Sequence, residues 1–210
     1  MDAKDKVRLG EFSRGGSSRV GTKGLDHDFY DKTITPFGLF LPDSNETYLY
    51  MNKSVTNSDF IIDCLEDFWK INKNKFPKVK KLLLNFDNGG ENSSRRTQFM
   101  KRIVDFVKKE KIEIELAYYP PYHSKYNPIE RVWGVLEKHW NGSLLDSVAK
   151  VIGFAKSMTY NGISPIVTLV DKVYFTGVKL TQLEMEEIEK KIIRSVGLEK
   201  WSVFVPYLGL

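Results

Sequence analysis

Short apolar runs and helical repeats of apolar residues alternate along most of this chain. Residues 37–41 and 47–51 favour two strands joined by a turn, and residues 82–86 form a continuous apolar run typical of a buried strand. Between positions 112 and 117, apolar and polar residues alternate, which predicts a strand with one buried face. Strands come first and then alternate with helices, so the pattern predicts an α/β domain with a mixed sheet.

Helix starts are indicated by capping residues ahead of apolar residues at helical spacing. Pro77 is expected to end the first helix, and Gly197 the last. The predicted starts are Asn57 or Ser58, Ser93 or Ser94, the pair Asn127 and Pro128, Ser143, and a capping box formed by Thr181 and Glu184.

The first 35 residues contain less apolar sequence. Residues 1–4 and 7–12 favour two short strands that pair as a hairpin, and residues 13–35 are polar and glycine-rich, which predicts a long loop. We expect one main domain over residues 1–160 and a helical and strand extension over residues 161–210 that packs on it.

Two carboxylates stand at positions that suit metal chemistry. Asp87 follows the apolar run and precedes Asn-Gly-Gly, while Glu130 lies in the first turn of a predicted helix. A carboxylate at the end of a strand facing another on a helix is an arrangement that holds divalent metals. Each also has a plain structural interpretation, since Asp before Gly often only forms a turn, and Glu130 could close a capping box with Asn127.

Composition narrows the class of protein. With 41% hydrophobic and 28% charged residues, the chain is not a disordered one. Its one cysteine, Cys64, excludes an internal disulfide and lies among apolar helix positions, so we expect it to pack. No signal peptide and no stretch of membrane-spanning length is visible, so we expect a cytoplasmic protein without a membrane partner.

The positive charge is concentrated around the candidate acids. The net charge is +5, and basic residues lie at positions 70–81, before Asp87, and at Arg95, Arg96, Lys101 and Arg102 after it. Basic residues beside an acidic site suit a polyanion that approaches a metal. For the cluster at 70–81, a solvated helix face is an equally good interpretation.

A long motif connects these residues to a known family. Asp87-Asn-Gly-Gly and the run Tyr119-Pro-Pro-Tyr-His-Ser-Lys-Tyr-Asn-Pro-Ile-Glu130-Arg-Val-Trp-Gly resemble the DDE transposases of bacterial insertion sequences. The likeness is closest to the ISAzo-type branch, with kinship to the mariner superfamily, and it extends over most of the chain. It implies a ribonuclease H-like fold, α/β with a mixed sheet flanked by helices, in which three acids hold two Mg²⁺ ions that Mn²⁺ can replace.

By this resemblance Asp87 is the second acid, Glu130 the third, and Asp2, in Met1-Asp-Ala-Lys, the first. Spacing alone would not select the second residue of a chain, which is normally a solvated end. Nearby alternatives are Asp5, Asp26 and Asp28. The family's apolar residues before this acid and its upstream DNA-binding region are absent, so we expect an N-terminally truncated fragment with impaired catalysis.

The resemblance implies a DNA transposase that cleaves DNA and transfers strands with the help of metal ions. Its partners would be transposon ends and target DNA, bound by a homo-oligomer at the nucleoid. Candidate DNA contacts are His123, Lys125, Arg95, Arg96 and Arg131, and His123 could also assist proton transfer. Two alternatives remain open: a ribonuclease H-like nuclease that does not join strands, and a catalytically impaired remnant that only binds DNA.

Overall fold

Two groups of elements, drawn from interleaved parts of the chain, form the structure. It is a computed structural model that describes residues 1–11, 18–19, 21, 32–120 and 126–207. Unit 1 contains Met1–Ser54 and Pro128–Val173, and unit 2 contains Val55–Asn127 and Tyr174–Leu210. The boundary expected at residue 160 stays a prediction.

The sheet of unit 1 is built on one long hairpin, as the apolar pattern predicts. Strands β3 (Thr33–Leu41) and β4 (Glu46–Asn52) pair antiparallel. Strands β1 (Asp2–Ala3) and β2 (Val7–Arg8) both pair antiparallel with β3. The expected hairpin between these two is therefore wrong, because they follow one another along the same partner strand. A later strand, β7 (residues 166–170), pairs parallel with β4.

Two helices cover apolar residues of the unit 1 sheet. Helix α3 (Ile129–Trp140) follows Pro128, and α4 (Val148–Ser157) is capped by the Ser147 hydroxyl. The predicted start at Ser143 is wrong by about a turn, since Leu145, which is buried, pairs with Gly10 before the helix begins. The core joins both helices to the sheet through a set of side chains: Val7, Ile34, Leu49, Met51, Ile129, Trp133, Leu136, Trp140 and Val151.

The sheet of unit 2 contains the strand that precedes Asp87. Strands β5 (Lys81–Phe86) and β6 (Glu113–Tyr118) pair parallel. The far edge of β6 is paired antiparallel with β9 (Ser202–Val205), which in turn pairs with β8 (Ile193–Arg194). The last part of the chain thus completes a sheet that begins about 120 residues earlier. The entropic cost of closing a loop rises only slowly with its length, so this long connection costs little more than a shorter one.

Helices of unit 2 follow the predicted apolar stripes but not every predicted end. Helix α1 (Ser58–Asn72) is capped by the Asn57 side chain, as expected, and ends before Pro77 in a 3₁₀ turn over Lys73–Lys75. Cys64 is buried in it, which confirms the packing role. Burial raises the pKa of its thiol.

Helix α2 (Thr97–Glu110) begins later than expected. Ser93 and Ser94 do not cap it, because the Ser94 hydroxyl instead donates to the Lys200 carbonyl. Helix α5 (Gln182–Glu189) has the predicted capping box of Thr181 and Glu184, but it ends well before Gly197. The chain enters β8 at Ile193, and Gly197 lies in the turn between β8 and β9.

Mixed sheets flanked by helices confirm the α/β class, and the arrangement is consistent with a ribonuclease H-like fold. Among the described helices, none combines the length and the apolar character that crossing a bilayer would require.

Candidate active site

Asp87 lies where β5 ends, and its own loop holds its carboxylate. Phe86 is fully buried, whereas Asp87 is exposed. The Gly89 amide donates to Asp87 Oδ1 at 3.0 Å, and Asn92 Nδ2 donates to the same oxygen at 2.9 Å. Among the described residues no group donates a hydrogen bond to Oδ2, so this oxygen keeps its lone pairs for another ligand.

The backbone of this loop lies directly against the carboxylate. Asn88 has a positive φ of 63°, which turns the chain back over Asp87. A Cβ added at Gly89 would lie 3.2 Å from both Asp87 oxygens, closer than ordinary van der Waals contact. Glycine at this position therefore allows the amide to approach the carboxylate.

Asp2 is held in unit 1 by a residue distant in sequence. It lies on β1 opposite Gly38 of β3 and is half-buried. The indole Nε1 of Trp133 donates to Asp2 Oδ2 at 3.4 Å, across a separation of 131 residues. A second contact joins the same strand region to α3, since Lys4 Nζ lies 2.6 Å from Glu137 Oε1.

Glu130 lies in the first turn of α3, one turn before Trp133, and is half-buried. The capping-box interpretation for Glu130 is wrong, because the N-cap residue is Pro128 rather than Asn127, and no side chain caps it. The helix thus places this carboxylate on the element that also contacts Asp2. A negative side chain here is favoured by the positive end of the helix dipole.

The three predicted acids are divided between the two units. Asp2 and Glu130 belong to unit 1 and Asp87 to unit 2. Within the described residues, no three His, Cys, Asp or Glu side chains form a group that could hold a metal ion. Carboxylate oxygens are the ligands that Mg²⁺ prefers, and Asp87 Oδ2 is available as one, so the chemistry of Asp87 fits this ion. The three-acid site stays a prediction.

The alternatives to Asp2 have weaker support. Asp5 is exposed and follows β1 rather than lying on it. Asp26 and Asp28 lie outside the described residues, as does most of the predicted loop 13–35.

The candidate DNA contacts differ in their surroundings. Arg95 and Arg131 are exposed, whereas Arg96 contacts Glu91 with an N–O distance of 3.2 Å. His123 and Lys125 lie outside the described residues. Lysines at positions 70–81 are exposed, and Lys81 lies 2.6 Å from Glu115.

Tyr118 and Tyr119 immediately precede the proline pair of the motif. Burial raises the pKa of both hydroxyls above the ordinary value. Burial thus disfavours the ionised form of both side chains.

Sequence reasoning missed three residues that shape these sites. Trp133 has the helical spacing of a core residue and is buried, but it also donates to Asp2. Asn92 was not identified as a partner of Asp87. Gly38 had a usable signal, since a glycine inside a strand often marks a close approach of another element. A Cβ there would lie 2.5 Å from Ile129 Cδ1 and 2.8 Å from the Trp133 ring.

A comparison with known protein families finds a match over nearly the whole chain. A family model described as "Rhodopirellula transposase DDE domain" matches residues 1–206. No curated protein and no solved structure gives a significant match.

Proposed function

Because the chain belongs to the family of transposase DDE domains, we propose that it cleaves DNA and transfers strands with the help of divalent metal ions. The substrates are the ends of an insertion sequence and a target duplex. A homo-oligomer assembled on the DNA, at the nucleoid, would bring the two ends together.

One observation carries this proposal: Asp2 and the helix that bears Glu130 are in contact in unit 1. The contact is the Trp133 hydrogen bond to Asp2, and Trp133 lies one turn from Glu130 on α3. The fold thereby links one acid that the resemblance implies to the helix that carries another.

By the family resemblance, Asp2, Asp87 and Glu130 would be the carboxylates that hold two Mg²⁺ ions. Bound Mg²⁺ would lower the pKa of water and stabilise the charge that develops on phosphate oxygens. The chain contributes the orientation of its carboxylates: Gly89 and Asn92 fix Asp87, and the first turn of α3 presents Glu130. The exposed side chains of Arg95 and Arg131 would contact DNA phosphates.

Metal binding tests the site before any DNA is added. Mn²⁺ or Mg²⁺ should raise the melting temperature of the unmodified chain, since a ligand that binds only the folded state stabilises it. Asp87→Asn and Glu130→Gln should each remove most of that rise. Asp105→Asn serves as the control, because Asp105 pairs with Lys101 on the surface of α2, 2.9 Å away. Equal metal-induced rises in all four proteins would contradict the site.

A DNA assay separates the proposed function from its two alternatives. The chain is incubated with Mn²⁺, a supercoiled plasmid and a labelled oligonucleotide that ends in a 3′-hydroxyl. Transfer of the label to the plasmid by the unmodified chain, and no transfer by Asp87→Asn, would support a transposase. Nicking without transfer indicates a nuclease. Salt-sensitive binding with neither product indicates a remnant that only binds DNA.

A further inference from the structure

Trp133 is a core residue whose one polar group reaches a proposed metal ligand. Its ring is 4% exposed and packs in the unit 1 core, yet its indole N–H donates to the half-buried Asp2 carboxylate. An indole N–H can only donate, and when buried it usually finds an acceptor. The acceptor here is a proposed metal ligand rather than a backbone carbonyl.

We propose that Trp133 is a positioning residue that fixes the orientation of the Asp2 carboxylate for metal binding. This inference rests on the proposed function, because it takes Asp2 as a ligand. Partners that hydrogen-bond to metal ligands orient them, and their loss lowers metal affinity by about 10- to 100-fold. Trp133 would give Asp2 this support from α3.

The position of Asp2 explains why such support is required. It lies on a strand of two residues, Asp2–Ala3, and the backbone pairing with Gly38 and Phe37 is correspondingly short. Two backbone pairings do not by themselves restrict the side chain of Asp2 to one rotamer. The hydrogen bond from a buried ring on another element adds a constraint on the orientation of the carboxylate.

Gly38 makes the contact sterically possible. It is the Cα partner of Asp2, and the space that its Cβ would fill is taken by Trp133 and Ile129. The large ring can therefore reach across β3 to the strand that carries Asp2. The hydrogen bond is 3.4 Å long, at the upper end of the range for an N–H···O contact.

The same helix offers a matched control. Trp140 is also buried, and its indole donates to Glu137 Oε2 at 2.8 Å. Glu137 pairs with Lys4, whose side chain is 12% exposed, and no metal role is proposed for Glu137. Replacing either tryptophan with phenylalanine removes one donor and keeps most of the apolar surface.

The first test compares Mn²⁺ affinity in the unmodified chain, Trp133→Phe, Trp140→Phe and Asp2→Asn. We expect Trp133→Phe to raise the dissociation constant about tenfold, towards the value of Asp2→Asn, and Trp140→Phe to change it less than about twofold. Melting temperatures without metal should be similar in the two tryptophan variants. If Trp133→Phe and Trp140→Phe bound Mn²⁺ with equal affinity, and both bound it with an affinity well above that of Asp2→Asn, the role of Trp133 would be overturned. The proposed metal site would remain supported.

A second measurement needs no tryptophan variant. The chain has four tryptophans, so the indole N–H region of a ¹⁵N-labelled sample holds four signals. Mg²⁺ should shift the Trp133 signal most, and Asp2→Asn should abolish that shift. A Trp133 signal that ignores Mg²⁺ while Asp87→Asn still lowers metal affinity would overturn the inference alone. No metal binding by the unmodified chain would overturn both this inference and the proposed function.

Discussion

The carboxylates of Asp87 and Asp2 are held in orientation by different kinds of contact. Asp87 is fixed by groups two and five residues further along its own loop. Asp2 is fixed by a ring that is 131 residues away in sequence. A local loop can form its hydrogen bonds once β5 ends, whereas the Asp2 contact exists only when α3 has packed on β3. The orientation of Asp87 should therefore tolerate damage to the unit 1 core, and that of Asp2 should not.

The largest effect is expected from Gly38→Ala. The added Cβ would meet Ile129 Cδ1 at 2.5 Å and the rigid Trp133 ring at 2.8 Å, and both side chains are buried. Overpacking of this kind costs about 1–3 kcal/mol, to be measured by urea unfolding. The variant should also lower Mn²⁺ affinity by displacing Trp133 from Asp2.

Gly134→Ala is the control for that prediction, since nothing lies within 4 Å of a Cβ at Gly134 on α3. It should stabilise the chain by up to about 1 kcal/mol, because alanine favours a helix more than glycine does. If Gly38→Ala were as stable as Gly134→Ala, the close packing of α3 on β3 would be contradicted.

A smaller effect is expected at the local site from Asn92→Ala. It removes the Nδ2 donor to Asp87 but also a buried Oδ1 for which the described residues offer no hydrogen-bond partner. These two changes oppose one another, so the loss of stability should be only about 1 kcal/mol. Asn92→Asp, of nearly equal size, should lower the free energy of unfolding more than Asn92→Ala does, because a second carboxylate would lie beside Asp87 and repel it. Its effect on Mn²⁺ affinity should be smaller than its effect on stability. A neutral result for Asn92→Asp would show that the amide contact does not form.

The smallest effect is expected from Gly89→Ala. A Cβ 3.2 Å from both Asp87 oxygens would require the carboxylate to move by a few tenths of an ångström. Unfolding free energy should change by less than about 1 kcal/mol, while Mn²⁺ affinity should fall severalfold. Gly90→Ala, where nothing lies within 4 Å of the new Cβ, should change neither quantity. Indistinguishable affinities in the two variants would remove the argument that the loop backbone supports Asp87.

Sequence patterns predicted the local features better than the tertiary ones. The strand before Asp87, the Asn57 cap and the capping box of Thr181 follow from neighbours within five residues, and all three are confirmed. The predicted caps at Ser93 or Ser94 failed because Ser94 bonds to Lys200, more than a hundred residues away. No local pattern carries information about such a competitor.

The same division applies to the candidate site. Asp87 could be selected from a strand followed by turn residues, whereas Asp2 could be selected only through the family resemblance. Its partner Trp133 has the helical spacing of a core residue, and periodicity cannot show which way an indole N–H points. The expected first hairpin failed for a related reason, since both short strands found a better partner in β3.

The pairing of β9 with β6 has a consequence for synthesis on the ribosome. Strand β6 ends at Tyr118, and its second edge is paired only once Ser202 and the residues after it have emerged. At about 5–20 residues per second, the intervening stretch of about 80 residues takes several seconds to translate. During that interval a nascent edge containing Ile114 and Leu116 is open to other chains. A chain truncated before Ser202 should therefore aggregate when it is expressed. Expression at low temperature should not make this truncated chain soluble, because the strand that covers the edge is missing.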